Sequence, residues 1–308
     1  MNKRSAFLFS LLFIATTVFS QNVITDTTAT VVAYWKKGDK KTYTLKKIIE
    51  QDKRGGGTRK DSASFKVTLQ VLAETEKSYT IEWRYTTLSL PAITPDDIPG
   101  MEALCNNLRI VYTTDETGNF TAVNNLSEIQ ASMNKAFEIL FKPGKLTPDA
   151  ALMMKELKNI LSNKESIEAI VLKEVQMFHS PYGAEFNIKR QSAETALPNV
   201  LGGPPFPALI SSQLKTMATD KKTFSVETTT SVDKKVATKI TLDFLNEVGK
   251  KAGKTPIKAS EFPEMKINDI YSFVIHTETG WINKGRTERL VDAAGSFKKE
   301  IVILSLSE

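Results

Sequence analysis

Residues 65–85 read FKVTLQVLAETEKSYTIEWRY. Phe65, Val67, Leu69 and Val71 alternate with Lys66, Thr68 and Gln70. After the polar link Ala73-Glu74-Thr75-Glu76-Lys77, Tyr79, Ile81, Trp83 and Tyr85 alternate with Thr80, Glu82 and Arg84. A period of two sends successive side chains to opposite faces of a strand. Two such runs joined by a short polar link predict an antiparallel hairpin with one buried side.

The pattern extends both ways. Upstream, Val31–Tyr34 and Thr42–Ile49 read as strands around the polar turn Lys36–Lys41, and Gly55-Gly56-Gly57 reads as a hairpin tip. Downstream, Pro91, Pro95 and Pro99 interrupt the sheet pattern. Leu108–Tyr112 resumes it, and Phe120–Val123 returns after the turn Asp115–Asn119. Three helices are then predicted. Asn125 and Glu128 form a capping box for the first, with Leu126, Ile129, Met133, Phe137 and Leu140 on one face. Thr147 caps the second. Ser162 and Glu165 open the third, whose stripe Ile167, Ile170, Val171, Val175 and Phe178 runs to Pro181.

Phe178–Ile210 changes character. Its segment Leu197–Pro207, LPNVLGGPPFP, is apolar yet unsuited to regular structure, because proline removes backbone donors and paired glycines admit unusual φ. It reads as a packed seam between two β-rich halves. Beyond it, Leu209–Met217 reads as a short helix and Phe224–Thr230 with Val236–Thr241 as strands around Asp233-Lys234-Lys235. A short helix follows over Asp243–Ala252, ended by Gly253. Ile270–Thr277, Trp281–Val291 and Phe297–Leu306 read as strands. Glu-Thr-Gly closes two hairpins, at 116–118 and 278–280, each followed closely by an aromatic. That echo fits a duplicated β unit or ordinary turn chemistry.

Residues 1–20 read as a secretory signal: Lys3 and Arg4, then an apolar run Ala6–Phe19, then a small-residue site that places cleavage near Ser20-Gln21. The run is short for a spanning helix, and no later stretch of the mature chain reads as transmembrane. The product is expected in the periplasm or outside the cell. The chain carries a formal charge of +6, and removing the signal's two cations leaves +4. The basic clusters, Lys36–Lys41 and Lys250–Lys258 among them, suit a solvated surface, lipid headgroups or acidic glycans. Nucleic acid does not fit the compartment. Cys105, the single cysteine, excludes an internal disulfide and reads as a small buried residue.

Catalytic and cofactor patterns fail. Gly249–Thr255 has three residues between its glycines where a phosphate loop needs four, so a helix C-cap is the better reading. His179 ends a predicted helix and can satisfy its terminal carbonyls. Two histidines and one cysteine make a poor zinc set, and no cofactor is expected. Asp96-Asp97 and Glu261/Glu264 are the nearest carboxylate pairs, the only footing for a hydrolase.

The order of strand pairs, a Gly118-Asn119-Phe120 hairpin leading into the capped helix at Leu126, Tyr182-Gly183, the Leu197–Phe206 seam and Thr279-Gly280-Trp281 resembles a family of exported bacterial proteins of unassigned activity, over most of residues 25–306. More loosely, a curved antiparallel sheet with helices against it is similar to the periplasmic lipoprotein carriers. That likeness implies an apolar pocket for acyl chains. The chain is longer than those carriers, and its helical insert has no counterpart there.

The expected fold is α+β: extensive antiparallel β-sheet in two portions, curved or half-barrel-like, with a central layer of about three helices packed on it. The divisions are a signal over 1–20, an N-terminal β-rich half over 21–123, a helical insert over 124–180, the seam over 181–210 and a C-terminal β-rich half over 211–308. The expected function is a non-enzymatic envelope protein binding a lipid or other apolar or amphipathic ligand. Phe65, Leu69, Trp83, Ile129, Met133, Phe137, Phe206 and Trp281 are the expected lining. The alternatives are a scaffold for another envelope protein and, last, a carboxylate-based hydrolase.

Overall fold

The computed structural model describes residues 24–53, 56–89, 108–140, 171–197, 205–218, 220, 222–251, 253, 255–293 and 296–307. The signal, the prolines at 91–99, Cys105, Asp96-Asp97, the helix expected from Thr147 and residues 198–204 of the seam lie outside them.

Eleven strands form one open antiparallel sheet: β2 (Lys40–Lys53), β3 (Gly57–Thr75), β4 (Ser78–Ser89), β5 (Arg109–Asp115), β6 (Phe120–Val123), β8 (Gln191–Leu197), β9 (Phe206–Met217), β10 (Thr223–Val232), β11 (Met265–His276), β12 (Ile282–Ala293) and β13 (Ser296–Leu306). Their order is β6-β5-β4-β3-β2-β13-β12-β11-β10-β9-β8. The fold is the expected curved, half-barrel-like α+β arrangement. The two portions join edge to edge, β2 against β13, with Leu45 opposite Leu304 and Lys47 opposite Val302. The hairpin read from residues 65–85 forms in register: Val67 faces Tyr85, Leu69 faces Trp83 and Val71 faces Ile81.

Three helices are described: α1 (Leu126–Leu140), α2 (Lys173–His179) and α3 (Lys234–Lys251). The expected capping box of α1 is rewired. Asn125 Oδ1 accepts from Val111 N–H at 2.8 Å, and its amide donates to Arg109 O and Glu128 Oε2. The side chain therefore ties the helix to β5 rather than capping it. Val171, Val175 and Phe178 are buried, as their stripe predicts.

Several segments differ from their sequence reading, among them the expected seam, in which Glu185–Asn187 and Gln191–Leu197 are strands. Leu209–Met217 is strand β9, not helix, because β8 and β10 hydrogen-bond it on both sides. Val236–Thr241 belongs to α3. Asp233 Oδ1 accepts from Val236 N–H at 3.0 Å, an N-cap that turns the expected strand turn into a helix start.

Val31–Tyr34 is extended but is not a ladder strand. The short β1 (Thr28–Thr30) pairs with β7 (Glu185–Asn187) in a separate two-stranded sheet. After it, Val31–Trp35 runs as a strap between three loops. Val31 N–H donates to Ala184 O and accepts in return, through its carbonyl, from Gly183 N–H. Ala33 N–H donates to Thr117 O at 2.8 Å, and Tyr34 N–H to Thr279 O at 3.2 Å. The two Glu-Thr-Gly turns thus bind adjacent residues of one strap through their threonine carbonyls. Gly118 (φ 96°) and Gly280 (φ 70°) let them approach: a Cβ would stand 2.7 Å from Ala33 Cβ and 2.1 Å from Val32 O respectively.

Candidate functional site

Val31, Ala33 and Trp35 are buried alternately along the strap. Trp35 ends it in a nucleus of rings: Tyr182 at 5.2 Å and His179 at 5.9 Å lie edge-on, Tyr79 is tilted at 5.5 Å, and Trp281 stacks on it. Burying roughly 200 Å² of one such ring contributes about 5 kcal/mol. Trp35 Nε1 is buried with no hydrogen-bond partner, but the polar tips of the rings around it are engaged. Tyr79 Oη donates to Ala33 O and Tyr182 Oη to Gly280 O. His179 Nδ1 lies 2.6 Å from Gly118 O, and its Nε2 lies 2.7 Å from Tyr112 Oη.

Burial lowers the His179 pKa to about 4, against smaller opposing effects of the Gly118 carbonyl and Asp115. The ring is therefore neutral at physiological pH. A carbonyl can only accept, so Nδ1 carries the proton and Nε2 accepts from the Tyr112 hydroxyl. His179 fastens α2 to the β5–β6 turn. Its role is not the expected one of satisfying its own helix end.

Further along the same inner face the side chains change. Strand register sets out rows across the sheet. Phe65, Leu45, Leu304, Gly285, Phe273, Val226 and Leu214 make an apolar row. The next brings Lys47, Thr287, Tyr271, Thr228 and Ser212 onto that face, and the one after it Glu300, Arg289, Asp269 and Thr230. Beyond lie Val291, Ile267, Val232 and Ala208, apolar again. A polar belt therefore crosses β13 to β9, two residues deep on β12, β11 and β10 and one deep on β13 and β9, where Val302 and Ile210 interrupt it.

The start of α2 leans on this belt and supplies two of its charges. Lys47 pairs with Glu174, Lys173 Nζ lies 2.6 Å from Glu300 Oε1, and Arg289 Nε lies 3.3 Å from Asp269 Oδ1. The last contact is an ion pair without hydrogen-bond alignment, so Oδ1 is buried with no hydrogen-bond donor. Burial raises the Asp269 pKa, with Arg289 and Lys173 pulling the other way. Glu300 is also desolvated, but the Lys173 hydrogen bond and the charges of Lys173, Lys47 and Lys298 outweigh that and lower its pKa. Burial first, and Asp269 second, raise the pKa of Tyr271. Such a belt offers opposite charges and hydroxyls side by side, a surface for hydrogen-bonding a polar group.

The expected lining residues do not converge on it. Leu69, Trp83, Ile129 and Trp281 are buried in the main core, with Phe65 and Met133 half-buried against it. Phe206 belongs to a second cluster with Ala208, Val232, Ala237 and Ile267, beneath α3. Phe137 lies in α1, and its side chain is outside the described residues. Sequence reasoning passed over Trp35 and the belt. The belt had a signal: Lys47, Asp269, Arg289 and Glu300 occupy the buried parity of strands whose neighbours there are apolar. Glu261 and Glu264 form no joint site; each is exposed and paired with its own lysine, Lys258 and Lys234. Two surface depressions, of about 400 and 460 Å³, open elsewhere, the first lined by Lys215, Arg286 and Ile303 together with Val226, Phe273 and Leu304 of the apolar row, the second by Glu194, Pro207 and Leu209.

No helix among the described residues is long and apolar enough to cross a membrane. No protein-family model and no curated protein matches the chain. Among solved structures it is similar to lipovitellin, from a study of lipid–protein interactions in that protein, at 11% identity and a TM-score of 0.43. The match covers 89% of this chain and 25% of lipovitellin's, so the chain spans about a quarter of that neighbour's length.

Proposed function

We propose that this chain is an exported, non-enzymatic envelope protein that holds an amphipathic ligand against the inner face of its sheet. The polar head would sit on the belt of Lys47, Tyr271, Asp269 and Arg289, and the apolar part along a bordering row. The observation that carries this reading is the belt's position between two apolar rows on a face that otherwise buries hydrocarbon. Ion pairs in such a place do little for stability, since apolar residues of similar size hold a core as well or better. A binding role gives them a reason. The non-enzymatic part is supported by His179, whose two nitrogens are both committed inside the core. Export is supported by the charged start and apolar run of residues 1–20.

The test is native mass spectrometry of protein purified from its own host, beside titration with a fluorescent fatty acid. A retained adduct or saturable dye uptake is expected. A bare mass together with no uptake would overturn the reading. N-terminal sequencing of the mature protein checks export, with Gln21 as the expected first residue.

A further inference from the structure

We infer that the head group received by the belt is a neutral polyhydroxylated one, such as a glycosyl or polyol moiety, rather than an ionic one. This rests on the ligand-binding reading above and names the chemistry of the head. Three features carry it.

The first is the pairing of each shielded carboxylate with its own cation, Lys298 standing exposed at the rim. Lys47 faces Glu174, Lys173 faces Glu300, and Arg289 faces Asp269. An anionic head could take one of these cations only by leaving a shielded carboxylate without its partner, and a cationic head would strand a cation in the same way. Removing one member of a buried pair is strongly unfavourable. A hydroxyl group can enter without breaking any pair, because it donates and accepts at once.

The second is an acceptor already in place. The Asp269 side chain is 5% exposed, and its Oδ1 has no hydrogen-bond donor although Arg289 stands beside it. A ligand hydroxyl donating to Oδ1 would add a hydrogen bond to an atom held only by the Arg289 ion pair.

The third is the neighbourhood. Thr230 lies directly opposite Asp269, Thr228 opposite Tyr271, and Ser212 opposite Thr228. All project from the same face as Asp269 by strand parity. A polyol can satisfy a row of hydroxyls at strand spacing together with the carboxylate.

The experiment uses the full mature protein and three amphiphiles with one dodecyl tail: dodecyl maltoside, dodecanoate and dodecylamine. Each displaces a bound fluorescent fatty acid below its micellar concentration. Dodecyl maltoside is expected to compete at least about tenfold better than either charged amphiphile, as a site built around hydroxyl contacts discriminates. Thr230→Val, which keeps the side-chain shape, should weaken the maltoside about fivefold or more and leave dodecylamine within about twofold, and Asp269→Asn should weaken the maltoside about fivefold or more. If dodecanoate or dodecylamine competes as well as the maltoside, or if Thr230→Val leaves the maltoside unchanged, the head-group inference is wrong while the ligand reading stands. If none of the three competes and the protein takes up no dye, both fall together.

Discussion

Trp35 and Trp281 stack ring on ring, their centroids 4.6 Å apart and their planes 25° from parallel. One residue ends the strap. The other follows the Glu278-Thr279-Gly280 turn whose threonine carbonyl receives Tyr34 N–H. The pair therefore locks a segment near the start of the described chain to a hairpin close to its other end. Trp281→Ala should lower the unfolding free energy by about 3–5 kcal/mol, measured by urea denaturation. A loss below about 1 kcal/mol would mean that backbone hydrogen bonds alone retain the strap.

The glycine of that turn is the more severe site. At Gly280 a Cβ would meet the Val32 carbonyl oxygen at 2.1 Å, and the backbone φ of 70° is itself unfavourable for a side chain. Gly280→Ala is expected to release the strap, speeding amide hydrogen exchange at Ala33 and Tyr34 by at least about a hundredfold. At Gly38, φ 94°, no atom lies within 4 Å of the new Cβ. Gly38→Ala should therefore show only the conformational penalty of about 1–2 kcal/mol, with exchange in the strap raised no more than global stability requires.

Acid should loosen the core through His179. Its folded pKa of about 4 lies below the ordinary 6.5. Between these values the unfolded chain binds a proton that the folded chain does not. Stability from this group is thus complete above about pH 6.5 and falls progressively to about pH 4, by about 3 kcal/mol in all. His179→Gln should flatten that part of the stability–pH curve while lowering stability at neutral pH. A wild-type curve level between pH 4 and 6.5 would show that His179 takes up its proton without strain.

The belt makes an asymmetric prediction. Arg289→Met leaves Asp269 shielded beside an apolar chain and should destabilise by about 3 kcal/mol at neutral pH. Asp269→Asn combined with Arg289→Met should recover most of that loss, since no lone charge remains. Thermal unfolding of the two variants decides it. A double variant no better than the single would mean that Lys173 and Glu300 depend on Arg289 as well.

The sheet was legible where one face is buried and the other wet. Residues 65–85, and the three strands from 270 to 306, alternate plainly and form as read. Legibility failed where two readings share one pattern. Leu209, Ile210, Leu214 and Met217 fit a helical stripe, yet Ala208, Ile210, Ser212 and Leu214 fit a strand face equally, and pairing on both edges settled it. Val236, Thr238, Ile240 and Thr241 are β-branched, but the Asp233 cap and the burial of Ala237 override that preference. The candidate site was hidden for a different reason. Its charges come from β2, β11, β12, β13 and α2, so no local spacing links them, and only the sheet register sets them in line.

The meeting of β2 and β13 bears on how the protein comes to be folded. Thr44 and Ser307, which share a hydroxyl contact of 3.0 Å across that junction, are 263 positions apart in the chain. Synthesis must deliver nearly all of the described chain before the middle of the sheet can zip, and until then β2 offers an open flank with Leu45 bare. Such long-range closure is slow and leaves early chains prone to sticking to one another. The pairing at the centre of the sheet is therefore the last to form, after the hairpins on either side of it.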